Sequence, residues 1–423
     1  MKGKSVLIIS FTPIRSEPRV LRQIRSFLEL GMRVTVAGYP PQPLENVTYV
    51  DLSLFTSPVT SPVTKKVGSR AFMLRVFRRL KVYASRVRLL LNAAMIFFPR
   101  KPGIEAYWHN EVYQRMHAFL QTLPPADMIV AHDWFTAPIA EKLAAQWGVS
   151  FFIDIHEYAR KQNVVQGGLF STMRHYASWI RPLSAVHKTI YPKAAALSCV
   201  CDGIADLVWQ EEGLPHRPVT VRSTPPYEEH SFRECGDHIV VLYHGIFAEK
   251  RKLDVLIQAI PLCDARFRFV LRGHGEELDA LKELAISLDI EERIVFEASV
   301  PFKEIIPAAN KADIGYIVLD DFSPQHRFVL PNKFFEYIMA GLALVVSDFP
   351  EMSKLVRHYD NGKLVAGCSA ELVAETLNSL IEKDINAMKR RSLEAAKELC
   401  WMREQHAMLT CYGLEPQREI FHE

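Results

Sequence analysis

Twelve short β-branched runs separated by helical stretches constrain this 423-residue chain more than any other feature. In the first half they read "SVLIIS", "RVTVAG", "NVTYVDL", "DMIVAHDW", "SFFIDIHE" and "ALSCVC". In the second they read "HIVVLYHG", "RFRFVLRG", "RIVFEAS", "DIGYIVL", "ALVVSD" and "GKLVAG". Strand and helix in alternation predict an α/β protein whose parallel sheets are joined by crossover helices. The length exceeds what one ordinary core fills, so two Rossmann-like domains are expected, facing each other across a cleft. The Pro-rich, charged stretch "RSTPPYEEHSFRECGD" (222–237) marks the join, which divides the chain into residues 1–225 and 226–423.

Composition narrows the class. With 49% apolar and 23% charged residues, the chain has the balance of a folded soluble protein. A net charge of +3 is too small to argue for nucleic acid. Seven cysteines without a C-x-x-C pair read as reduced thiols of a cytosolic protein, not as a disulfide framework or zinc site. The opening "MKGKSVLIIS" reads as a first strand and not a secretion signal, and no stretch of 18 uncharged apolar residues predicts a membrane span. The tail from "AELVAETL" to "REQHAML" is rich in helix formers and predicts a long terminal helix. Its last part, 400–423, packs either on its own domain or back on the first; sequence leaves both open.

Ligands of open parallel sheets bind outside the strands' carboxyl ends. Polar residues collect at those ends here: His132 and Asp133; Asp154, His156 and Glu157; the "YHG", "LRGHG" and "LDDFSPQH" ends of the second half. Any one of them alone reads as a cap or turn residue, whereas together on one rim they read as a site. Lys250, Arg251 and Lys252 precede the helical run "LDVLIQAI", where cations oppose the helix dipole unless an anion lies between. The alternative there is a solvated basic turn. Gly273 and Gly275 would let a ligand approach the backbone, although a lone G-x-G is weak evidence.

The stretch "LPNKFFEYIMAGLALVVSD" (330–348) is the most informative. Pro331 suits a helix start, and Asn332 and Lys333, with the free N–H groups of the first turn, form a positive end suited to a diphosphate. Glu336 lies one turn further in, where a carboxylate can accept two hydrogen bonds from a ribose diol. Gly341 closes the helix. Such a helix is built to hold a sugar nucleotide.

With these motifs in this order, the chain resembles the retaining family-4 glycosyltransferases of the GT-B fold. The likeness runs from "SEPRVLRQIRSFLELGMRVTVAGY" and "FIDIHEY" through "VLYHGIFAEKRKLDVLIQAI" to "LPNKFFEYIMAGLALVVSD". The resemblance implies a glycosyl group passed, with retention, from a nucleoside-diphosphate sugar to a glycan or lipid-linked acceptor in cell-surface polysaccharide or glycolipid synthesis. It implies catalytic roles for His132, Arg251, Lys333 and Glu336, and donor contacts from Gly245, Arg251, Gly273, Gly275, Asn332, Lys333 and Glu336. Arg15, Arg19, Asp133, His156 and Glu157 fall on the acceptor side. No permanently bound cofactor and no obligatory metal is expected; Asp320 and Asp321 read as a solvated loop. Phe328 and Ile246 depart from the pattern, standing where the family has its first motif acid and its phosphate-loop arginine. They favour the alternative of a catalytically degenerate GT-B protein that binds a sugar nucleotide as a regulatory partner. A sugar-nucleotide epimerase of similar architecture fits the motif order poorly.

Between Asp51 and Glu105 no acid occurs, whereas eleven Lys and Arg do. At helical spacing, residues 65–101 form a basic amphipathic element. It reads either as a peripheral contact with an anionic membrane face, where a lipid-linked acceptor would lie, or as a helix packed on the first sheet with solvated arginines.

Overall fold

The computed structural model describes residues 3–14, 17–39, 44–56, 103–161 and 179–414. Arg15 and the basic element 65–101 lie outside the described residues. The chain forms two compact units. Unit 1 holds residues 1–199, 206–219 and 411–423, and unit 2 holds 200–205 and 220–410.

Unit 1 is built on β1 (Ser5–Pro13), β2 (Arg33–Tyr39), β3 (Val47–Asp51), β4 (Met128–His132), β5 (Ser150–Ile155), β6 (Ala196–Cys199) and the short β7 (Val219–Thr220). Their order is β3-β2-β1-β4-β5-β6-β7. Unit 2 holds β8 (Ile239–Ile246), β9 (Phe267–His274), β10 (Ile294–Glu297), β11 (Ile314–Ile317), β12 (Ala343–Ser347) and β13 (Gly362–Val365), ordered β10-β9-β8-β11-β12-β13. The strands from β1 to β6, and those of the second sheet, pair in parallel. Each of the twelve runs read from the sequence is a strand. Two-residue β7 is too short to carry a periodic signal. Both sheets reverse order beside their first strand, at β1/β4 and β8/β11, and a doubly wound sheet opens its ligand crevice at that reversal.

Continuous apolar runs mark strands covered on both faces: β4 and β12 are buried at every position. The helix Asn332–Met339 lays Phe334, Phe335, Tyr337, Ile338 and Met339 against the core. It ends in a Schellman motif, with Gly341 N–H donating to the Ile338 carbonyl at 3.0 Å and Leu342 N–H to the Tyr337 carbonyl at 3.0 Å. Pro331 sits just ahead of the first helical residue, in extended conformation. A buried polar clamp fixes helix Glu382–Glu398. Asp313 accepts from Lys389 Nζ at 2.7 Å, Arg233 Nη2 at 2.7 Å and Val240 N–H at 2.9 Å.

The tail is not one long helix. It breaks into Ala370–Asn378, Glu382–Glu398 and Trp401–Cys411. No Gly or Pro marks the breaks. Asn378 instead turns its side chain to the Asp264 N–H and the Leu262 carbonyl, pinning one helix end, and buried Leu380 and Leu399 occupy the two joints. Tertiary partners override propensity here. Beyond the last helix, Tyr412 belongs to unit 1: its ring lies 4.8 Å from Phe152 and 6.3 Å from Phe27, and its hydroxyl is 3.3 Å from Ser198 Oγ. Among the described residues no helix is long and apolar enough to cross a membrane.

Gly341 has φ +71°, and a Cβ there would lie 2.6 Å from Leu393 Cδ2. Gly341→Ala is expected to destabilise unit 2 by about 1–3 kcal/mol, through left-handed strain and displacement of Leu393. A lower midpoint in urea at unchanged slope is the expected readout.

Candidate functional site

Unit 2 gathers polar groups at the carboxyl ends of β8 and β9. Parallel register sets His244 opposite Arg272 and Gly245 opposite Gly273. Helix Asn332–Met339 approaches from the other side. Tyr337 hydroxyl accepts from the His244 backbone N–H at 2.9 Å, and His244 Nε2 lies 2.8 Å from Glu336 Oε2. Burial lowers the His244 pKa, outweighing the pull of Glu336. The ring is therefore neutral, donates Nε2–H to the carboxylate, and leaves a buried Nδ1 without a partner. Arg272 donates through Nε to Glu297 at 2.7 Å, and its Nη1 is buried and unpartnered.

Lys333 reaches over the face of Tyr243, with Nζ 3.7 Å from the ring centre. Burial pushes its ammonium well below the usual lysine range, Arg251 adds to that, and Glu336 offsets part of it. Arg251 and Glu336 are thus each within electrostatic range of Lys333. Two cations held close in a partly desolvated place are unfavourable unless an anion joins them. Gly245, at φ +134°, makes room for this arrangement, since a Cβ there would sit 2.9 Å from Lys333 Nζ. Gly273 and Gly275 serve a contact within the protein. A side chain at either would run into the backbone of Gly245 or Phe247, so these glycines let two protein segments touch. Asn332 is the first residue of the helix, whose opening N–H groups have no intrahelical acceptor. On the rim, the His326 and Phe322 rings lie 4.0 Å apart, and Lys250 Nζ is 5.2 Å from the Phe322 ring centre.

Of the two departures from the family pattern, Phe328 packs where a side chain on Gly203 would strike its ring, and Ile246 is exposed.

Unit 1 has its own cluster at the ends of β4 and β5. Buried Asp154 accepts from Arg19 Nε at 2.6 Å, Arg19 Nη2 at 2.5 Å, Gln23 Nε2 at 2.7 Å and Ser198 Oγ at 2.6 Å. Burial alone would raise the Asp154 pKa; the guanidinium outweighs it and holds the carboxyl well below the usual range. Arg19 is 1% exposed, so it grips Asp154 from beneath and presents no face to an acceptor. His132 Nδ1 lies 2.9 Å from His156 Nε2. Asp133 adopts φ +62° and accepts from the His156 backbone N–H at 2.9 Å. Glu157 is exposed.

His132, Asp154 and His156 bring ligand-type atoms within 4.8 Å of one another. They do not make a cation site: both Asp154 oxygens are already committed, and the two imidazoles point at each other.

The expected donor residues thus converge in unit 2, and His132, Asp133, Asp154 and His156 converge in unit 1. His244 and Arg272 were placed on the rim by the sequence but given no role. Their signal is a polar residue at the end of an otherwise apolar strand.

Residues 16–224 match the Glycosyl transferase 4-like domain and residues 238–383 match Glycosyl transferases group 1. No curated protein matches in sequence. Among solved structures the chain is similar to HepE of Anabaena in complex with UDP (TM-score 0.63, 11% identity, covering 97% of this chain and 99% of that one). It is also similar to sucrose-phosphate synthase of Thermosynechococcus elongatus (0.65, 14%, 97% and 98%). A third is WaaG, a glycosyltransferase involved in lipopolysaccharide biosynthesis (0.60, 13%, 96% and 99%). At these identities the likeness is one of fold.

Because the Asp154 pKa is lowered on folding, its stabilisation is complete above the ordinary carboxylate value, about pH 4, and is lost as pH falls below it. Asp154→Asn leaves Arg19 buried without its counter-charge and is expected to cost about 3–5 kcal/mol at pH 7. Urea unfolding across pH 2–7 checks both the loss and the flattening of the acid limb.

Proposed function

The chain belongs to the family-4, group 1 glycosyltransferases of the GT-B fold, and we propose that it transfers a sugar, with retention, from a nucleoside-diphosphate sugar to a glycan or lipid-linked acceptor. The electrostatic proximity of Arg251 and Glu336 to Lys333, beside the reversal of the second sheet, supports this reading. Unit 2 takes the donor. The diphosphate lies between Arg251, Lys333 and the opening N–H groups of helix Asn332–Met339, and Glu336 holds the ribose diol, steadied by His244. HepE was crystallised with UDP, and with UDP and glucose, which makes a UDP-sugar the first donor to test.

As the bond between the anomeric carbon and the phosphate oxygen breaks, charge collects on the leaving diphosphate. Cations already in place stabilise it without rearrangement, and one such group contributes roughly 2.7–4 kcal/mol. Retention puts the acceptor on the leaving group's face. The acceptor proton then has a phosphate oxygen to go to as the new glycosidic bond forms. Unit 1 meets the acceptor through His132, Asp133, His156 and Glu157. The basic run 65–101 supplies, by composition alone, a reversible hold on an anionic membrane face; salt-insensitive behaviour with anionic liposomes would remove that part.

One observation favours a binding protein without catalysis: Phe328 replaces an acid and is turned into packing against Gly203. Turnover decides between the two.

Thermal-shift screening of UDP-, GDP-, ADP- and dTDP-sugars should show one selective stabiliser. Arg251→Ala and Glu336→Ala should each weaken it about ten- to a hundredfold. Donor binding should also take up a proton. Lys333 is depressed in the free protein, and the bound diphosphate raises it again, so affinity falls as pH rises between the two values. Calorimetry in buffers of different ionisation heat measures that uptake; release of a proton would contradict the assignment of Lys333.

A further inference from the structure

The paired imidazoles of unit 1 fix where a proton sits. His132 Nδ1 and His156 Nε2 are 2.9 Å apart, a separation that holds one proton. Both nitrogens of His156 look at carboxylates. Nε2 is 3.5 Å from Asp154 Oδ2; Nδ1 is 3.7 Å from Asp133 Oδ2 and 4.0 Å from Glu17 Oε2. A lone pair at either position would oppose a negative charge, so both carry protons.

His132 is placed differently. Its Nδ1 is also 3.5 Å from Asp154 Oδ2. That oxygen, however, already accepts from Arg19 Nε and Gln23 Nε2, which leaves no good acceptor for a proton on His132 Nδ1. The ring is 1% exposed, and its Nε2 is buried with no hydrogen-bond partner among the described residues. The indole N–H groups of Trp134 and Trp179, whose rings are 5.2 Å apart, are buried without partners as well.

We propose that His156 is a positioning residue that fixes His132 in the tautomer with its proton on Nε2, so that His132 meets a sugar oxygen as a hydrogen-bond donor and takes no proton from it. The substrate side of this statement rests on the glycosyltransferase reading; the tautomer does not. The groups facing His156 are Glu17 ahead of helix Pro18–Glu29, Arg19 and Arg22 on that helix, His132 and Asp133 at the end of β4, and Asp154 on β5. Their balance supports the assignment. Burial would lower the His156 pKa, but Asp133, Asp154 and Glu17 outweigh it and push it up to about 9. Burial, opposed by Asp154 and aided by His156 and Arg19, pushes His132 down to about 3. Near pH 7 the outer ring is therefore a cation and the inner ring neutral. The proton between them belongs to His156, and His132 keeps its own on the buried Nε2. A histidine so arranged is a poor base, which agrees with a transfer in which the departing phosphate takes the acceptor's proton.

The test is two-bond nitrogen–proton NMR on the full chain, labelled with ¹⁵N at histidine, with the His132 signals assigned from their loss in His132→Gln. At pH 7, His132 is expected as the neutral tautomer protonated at Nε2, and His156 as the doubly protonated ring. A His132 protonated at Nδ1, or charged, overturns the proposal. His156→Gln removes the cation and should release His132 into a mixture of tautomers. With a working donor it should lower kcat at least tenfold while leaving the donor KM within about twofold. A variant that keeps both the single tautomer and wild-type kcat also overturns it. Failure of every donor to react would defeat the glycosyltransferase reading while the wild-type spectrum still decides the tautomer.

Discussion

Unit 2 depends on a repulsion. Burial and the nearby Arg251 both disfavour the charge on Lys333, and Glu336 only partly offsets them. A fold tolerates such an arrangement when the rest of the unit determines it too strongly to relax. Helix Asn332–Met339 is held by five buried apolar side chains, by its Schellman end and by the Tyr337 hydroxyl on β8. An anion placed there would favour the charged form of Lys333, and most strongly while that anion gained charge.

The two units solve the same geometric problem with opposite electrostatics. Both are doubly wound sheets that reverse beside their first strand, and both bring polar side chains to that end. In unit 1 the central charge is closed: Asp154 is fully coordinated by Arg19, Gln23 and Ser198. Against it lie the paired rings of His132, which is buried, and His156, which is partly exposed. In unit 2 the charge is left open.

Much of this was legible in the sequence, because parallel strands and helix starts are local signals. The twelve strands, the helix after Pro331 and its Gly341 stop can all be read from windows of ten or so residues. The breaks in the tail helix escape the sequence because they fall where Asn378 meets distant partners and where Leu380 and Leu399 are buried, and no breaker residue marks them. Arg19 looked like a rim cation; its partner lies 135 positions away, and nothing near either residue announces the pairing. The G-x-G at the end of β9 also lets two protein backbones touch, which the sequence does not announce. Long-range pairing of charge and close backbone crossings leave little trace in one sequence.

The return of Tyr412 to unit 1 has a consequence for how the molecule is made. Its ring covers Phe152, yet it emerges from the ribosome 260 residues later (152 to 412). At ordinary translation speeds that is a delay of about 10–50 s. During that interval the first sheet waits with Phe152 uncovered, and unit 2, which runs to residue 410, is itself completed only just before Tyr412 appears. Unit 1 begins before unit 2 and is completed after it, so nascent chains pass through a stage in which a chaperone has something to hold.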